Sequence, residues 1–144
     1  MALFDVAADS YARLMGRFVE QLADRFDEPP VILDAGPDPV AVVREVARAK
    51  GPGGRVTACA WDHAGGCAPS SGFWDVVWRY DPAVDGEGEP PGSAAGDLTR
   101  ILTEAGLREV EETRLTVELV CATFAEWWHP YTLGVGPAGA YVAR

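Results

Sequence analysis

The sequence predicts an α/β domain, a small sheet of about four strands with helices packed on it. Three observations carry that expectation. Apolar residues from Tyr11 to Phe26 recur at helical spacing. A strand, helix, strand run with short connections spans Val31 to Trp61, the signature of a parallel crossover unit. Leu115, Val117, Leu119 and Cys121 alternate with Thr116 and Glu118, as in a strand with one buried face.

In chain order, Tyr11, Leu14, Met15, Phe18, Val19, Leu22 and Phe26 form one stripe, with Asp9 or Ser10 placed as its cap. Pro29-Pro30 stops it. Val31-Ile32-Leu33 reads as a buried strand ending in Asp34-Ala35-Gly36-Pro37. Asp38-Pro39 opens a second helix as N-cap and first-turn proline, with Val40, Val43, Val46 and Ala47 on its buried face. The glycine-rich stretch 51–54 ends it, and 55–61 is the next strand. Asp62 to Gly72 is loop, and the aromatic run Phe73–Tyr80 is read as helix. Leu98, Ile101, Leu102 and Ala105 mark a third helix, capped by Asp97 and ended by Gly106. Thr123 and Glu126 form a capping box for a helix carrying Trp127, Trp128 and Tyr131. Gly134, Gly136, Pro137 and Gly139 read as a turn.

Length and composition fit one domain over residues 1–144. With 48% hydrophobic and 24% charged residues the chain is ordinary globular protein. A net charge of -10 repels phosphate backbones and anionic membranes, so neither nucleic acid nor membrane is an expected partner. No run approaches the roughly 20 apolar residues of a membrane helix, and no signal peptide is evident, so a cytoplasmic location is expected. Cys59 and Cys121 fall in apolar runs and read as core thiols, Cys67 as a loop thiol.

Several stretches together resemble the small-molecule branch of the class I S-adenosylmethionine-dependent methyltransferases. Phe4-Asp5-Val6-Ala7-Ala8 with Tyr11 and Met15-Gly16-Arg17 looks like that family's N-terminal helix over the cofactor pocket. Asp38-Pro39-Val40 through Arg44-Glu45 to Pro52-Gly53-Gly54-Arg55-Val56 looks like its fourth helix and fifth strand. Trp61 to Gly66 resembles the loop that follows. Ala105 to Val110 resembles the entry to the sixth strand. Phe124 to Trp128, with Pro130 and Gly134 to Gly139, resembles the substrate side.

The resemblance implies a reduced Rossmann-like sheet. It departs from the family where the cofactor would bind. Asp34 and Gly36 remain as a remnant of the cofactor loop, but Pro37 removes a backbone donor, and the second and third strands have no counterpart. Val31–Gly36 matches the family's first strand and its fourth equally well. No cofactor is therefore expected, unless another chain completes a site for S-adenosylmethionine.

Asp62 and His63 stand at a strand end on the substrate side, where a histidine suits general-base chemistry. Tyr11, Met15, Trp61, Trp127, Trp128, His129 and Tyr131 are the expected substrate contacts. His63 and Cys67 lack a third ligand, so no metal is expected.

Three functions follow. The first is a repurposed protein that binds or transforms a small hydrophobic molecule without cofactor, for example by cyclisation or proton transfer in biosynthesis. The second is a methyltransferase completed by oligomerisation. The third is a non-catalytic partner of a full-length methyltransferase. Missing strands leave exposed edges, so a homodimer or a larger methyltransferase-like partner is expected.

Overall fold

The computed structural model describes residues 8–23, 25–26, 31–32 and 38–144. Its regular elements are α1 (Ala8–Tyr11), a π-helical turn (Ala12–Gly16), α2 (Arg17–Ala23), β1 (Val31–Ile32), α3 (Pro39–Lys50), β2 (Ala58–Cys59), α4 (Ser71–Tyr80), α5 (Asp97–Glu104), α6 (Phe124–Trp128), a 3-10 helix (His129–Leu133) and α7 (Gly136–Val142).

The expected sheet of about four strands is not there. Among the described residues the only sheet is β1 paired in parallel with β2, Val31 beside Ala58 and Ile32 beside Cys59, and no Rossmann-like sheet is present. The physical reason is a lack of strand partners. The run keeps its predicted alternation over 115–118, with Leu115 and Val117 half-buried and Thr116 and Glu118 exposed, but loses it at Leu119, which is exposed, and among the described residues no strand lies beside it. The side chain of Gln21 pairs there instead. Its amide nitrogen donates to the Glu118 carbonyl at 2.8 Å, and its oxygen accepts the Glu118 N–H at 3.2 Å. One carboxamide thus satisfies both backbone groups of Glu118, as a neighbouring strand would.

Contacts divide the chain into two compact units. An aromatic unit takes residues from 1–25, 69–88 and 115–144. Its core joins Leu14 of the π-helical turn, Phe73, Trp74 and Val77 of α4, Tyr131 of the 3-10 helix, and Val135 and Ala138 at α7. Phe73 is the hub. It stacks on Tyr131 at 4.8 Å and 15°, and meets Trp74 edge-on at 5.0 Å. Indole N–H groups pin the loop after α4: Trp74 donates to Glu87 and Trp78 to the Val84 carbonyl. The predicted turn at 134–139 is in fact the entry to α7. Gly134 takes a positive φ of 73°, and Gly139 packs so closely that a Cβ there would lie 2.5 Å from the Gly134 carbonyl carbon. Glycine at 139 is thus a requirement of close packing rather than a helix breaker.

A sheet unit takes residues from 26–68 and 89–114. There α3 packs on α5 through Val43, Ile101 and Leu102, with Val56, Ala58, Leu98, Leu107 and Val110 around them. The start of α3 is as the sequence predicts: the Asp38 carboxylate accepts the Ala41 N–H at 2.9 Å and Pro39 fills the first turn. Arg44 of α3 donates to the Glu104 carbonyl, an otherwise unpaired acceptor at the end of α5. Gly106, at a φ of 96°, turns the chain so that the Leu107 N–H reaches the Leu102 carbonyl.

The N-terminus of α5 corrects the sequence reading. Asp97 is the first helical residue, and Gly96 holds the cap position without a side chain. Glu112 supplies the cap from beyond the helix. Its carboxylate accepts the N–H groups of Gly96 at 2.7 Å and Thr99 at 2.9 Å, and the Thr99 hydroxyl at 2.9 Å. The Gly96 bond, with smaller help from Thr99 and against a modest burial cost, holds the Glu112 carboxyl below its ordinary value of 4.5. A depressed acid stabilises the fold at pH above the unfolded value and loses that contribution as pH falls through the folded one. Glu112→Gln should therefore lower stability at neutral pH, and the gap to the parent protein should close as the solution is acidified below about pH 4. Denaturant melts across that range would measure it. A gap independent of pH would contradict the cap.

Candidate functional site

The residues expected to form one site fall in two units. Trp61, Asp62 and His63 belong to the sheet unit; Tyr11, Met15, Trp127, Trp128, His129 and Tyr131 belong to the aromatic unit. Asp34 and Gly36 lie outside the described residues.

Asp62 is committed to its own loop. Its Oδ1 accepts the Gly65 N–H at 2.7 Å, and its backbone carbonyl accepts the Cys67 N–H at 2.9 Å. Its Oδ2 is buried and receives no well-directed hydrogen bond, and is compensated by the Arg114 guanidinium at 3.0 Å. Gly65 is needed for this closure, since a Cβ there would sit 2.4 Å from Oδ2. The spacing of Asp62 and Gly65 is a side-chain turn signature that the sequence offered and a catalytic reading overlooked. The neighbouring His63 is half-buried, and its backbone N–H donates to the Trp61 carbonyl. No hydrogen bond joins the Asp62 carboxylate to the His63 ring among the described residues, so the two do not form an acid–base pair in this arrangement. Trp61 is half-buried.

The sheet unit also holds a cleft of about 170 Å³, lined by Val56, Thr57, Ala58, Leu98, Leu102 and Glu111 among others. Pockets for drug-sized molecules start at roughly 300 Å³. Of its polar lining, Glu112 and Thr99 are already engaged with each other at the cap of α5.

The aromatic unit presents a different kind of surface. Thr123 caps α6 by accepting the Glu126 N–H at 3.2 Å, and Glu126 reaches back to the Ala122 N–H at 2.8 Å. This predicted capping box fixes a five-residue helix that would otherwise be too short to persist. It carries Phe124, Trp127 and Trp128. Phe124 is 71% exposed, yet its ring lies nearly parallel to Trp128 at 6.0 Å and 12°, and 5.6 Å from Trp127. Both tryptophans are half-buried.

Below them lies Tyr131, only 1% exposed, with ring distances of 5.1 Å to Trp127 and 6.1 Å to Trp128. Its hydroxyl donates to the Pro69 carbonyl at 3.2 Å, and burial pushes the phenol up, so it stays a donor. Tyr131 is thus the bed of the cluster rather than its surface. Met15 packs on the same core, half-buried. His129 is exposed, its carbonyl accepting the Thr132 hydroxyl. Tyr11 ends α1, and its side chain is outside what is described.

The sequence reading named Trp127 and Trp128 as contacts; it placed Phe124 in the substrate-side stretch and Phe73 in the aromatic helix, but named neither as a contact. Phe124 sits at the first position of a capped helix, three and four residues before the tryptophans, a spacing that places all three rings side by side. Among the described residues no three His, Cys, Asp or Glu side chains converge on a metal position, and no helix is long and apolar enough to cross a membrane.

No family model, curated protein or solved structure matches the chain.

Proposed function

We propose that this is a methyltransferase-like protein repurposed to bind a small, flat, hydrophobic molecule without a cofactor, and that the Phe124–Trp127–Trp128 cluster is where it binds. The observation that carries the reading is the graded exposure of that cluster. A buried Phe73–Tyr131 stack holds two half-buried indoles, and they hold an exposed phenyl ring. Exposing a phenyl ring forfeits apolar burial, which a stacked ligand would restore. The methyltransferase relationship rests on the ordered motifs of the sequence, and those on the substrate side are the ones retained. Binding is favoured over turnover because the Asp62 carboxylate is engaged by Gly65 and Arg114.

Calorimetric titration with 2-naphthol, a planar neutral probe, tests this. The wild-type chain should give saturable heat, Phe124→Ala should weaken binding about tenfold or more, by loss of one stacked ring face, and His63→Ala should leave it unchanged. Titration with S-adenosylmethionine or S-adenosylhomocysteine should give none. Cofactor binding would favour a methyltransferase completed by a second chain. Absence of probe binding, together with co-purification of a larger homologue, would favour a partner subunit.

A further inference from the structure

We propose that two copies of this chain associate by antiparallel packing of their α4 helices, with Val76 at the two-fold axis. Phe73, Trp74 and Val77 hold the inner face of α4 in the aromatic core. Gly72, Asp75, Val76, Arg79 and Tyr80 form its outer face, and all are exposed. Val76 is 50% and Tyr80 84% exposed, an apolar surface left to solvent. At helical spacing these residues make two adjacent ridges, Gly72–Val76–Tyr80 and Asp75–Arg79. Asp75 and Arg79 stand four residues apart with the acid first, the order that favours an ion pair within a helix. At such spacings Asp9–Arg13, Glu45–Arg48, Asp97–Arg100 and Arg100–Glu104 do pair, at 2.6–3.5 Å. The side chains of Asp75 and Arg79 make no ion pair or hydrogen bond among the described residues. Two opposite charges on an exposed face are therefore open to a partner.

A second copy fits the order of these residues. With the α4 helices antiparallel about an axis at Val76, Val76 meets Val76 of the second copy, and each Tyr80 falls beside Gly72 of the other. Gly72 has room for that ring, since a Cβ placed there would meet nothing within 4 Å. Along the second ridge, Asp75 of each copy comes within reach of Arg79 of the other. A parallel arrangement would bring Asp75 level with Asp75 and Arg79 level with Arg79, so the charges select the antiparallel one. An acidic or a basic partner would match only one of the two charges, whereas a second copy matches both, and the contact closes on itself. The α4 helix has ten residues, about 15 Å of helix, so the interface is small and the dimer a weak one. Pairing through this face is independent of ligand binding at α6, which uses other residues.

Sedimentation equilibrium on the full chain, carried to about 1 mM, tests the proposal. The wild-type protein should show a concentration-dependent dimer. Arg79→Asp turns both opposite-charge pairs into like-charge pairs and should weaken the dimer about tenfold. Adding Asp75→Arg to Arg79→Asp restores opposite charges and should recover it. Circular dichroism on each variant separates loss of pairing from loss of fold. As a second measure, Val76→Cys with the native cysteines changed to serine should form an intermolecular disulfide on mild oxidation, because the two positions meet at the axis. Ala49→Cys in the same background, exposed on α3 in the other unit, should crosslink far more slowly. A monomer throughout, a dimer indifferent to the charge swap, or equal crosslinking through Val76→Cys and Ala49→Cys would each overturn the proposal.

Discussion

Phe73→Ala should cost roughly 3–5 kcal/mol, the range for deleting a buried aromatic side chain. Phe73 is 4% exposed and touches Trp74, Trp128, Tyr131 and Tyr141 through its ring. Its removal leaves a cavity bounded by stiff rings that cannot collapse into it, so the upper half of that range is expected. Because a domain's whole stability is about 5–15 kcal/mol, the variant should be close to unfolding. Native-state hydrogen exchange would show it as faster exchange of α4 and α7 amides. Protection unchanged there would mean that the ring stack is not what holds the aromatic unit together.

The matching experiment in the sheet unit is Ile101→Ala. Ile101 is fully buried, 0% exposed, and sits with Val43 and Leu102 where α5 meets α3. A loss of roughly 2–5 kcal/mol is expected for this truncation. Faster exchange should appear in α3 and α5, with α4 and α7 keeping their protection, since each core serves its own helices. Equal loss of protection in all four helices would contradict separate cores.

How much of this was legible in the sequence depends on how local the cause is. Helix ends set by neighbours a few residues away read correctly: Asp38 with Pro39, the Thr123–Glu126 box and the Gly106 stop all stand as the residues suggest. The cap of α5 did not, because Glu112 arrives from past the helix and only folding brings it to Gly96 and Thr99. The sheet failed for a related reason. Alternation predicted the inward turn of Leu115 and Val117, though not the exposure of Leu119, and it carries nothing about a neighbouring strand; Gln21, distant in sequence, takes the place of one. A smooth apolar stripe also concealed the π-helical turn at Ala12–Gly16.

At the candidate site, residue type was more legible than residue duty. Trp127 and Trp128 were evident as rings on a capped helix, and successive helical positions about 100° apart implied that they face differently. Tyr131 carried the same chemical signal yet is buried beneath them. Asp62 and His63 read as catalytic because they follow a predicted strand on the substrate side, whereas the local turn sends the Asp62 carboxylate to Gly65 and Arg114.

The central claim, that ligand binds on the exposed rings of α6, is tested most directly by the indole N–H resonances of the five tryptophans during titration with 2-naphthol. The signals of Trp127 and Trp128 should shift together and saturate, while those of Trp61, Trp74 and Trp78 stay in place, and Phe124→Ala should diminish the response. Shifts at Trp61, or at Trp74 and Trp78 in place of the α6 pair, would put the ligand elsewhere and contradict the account.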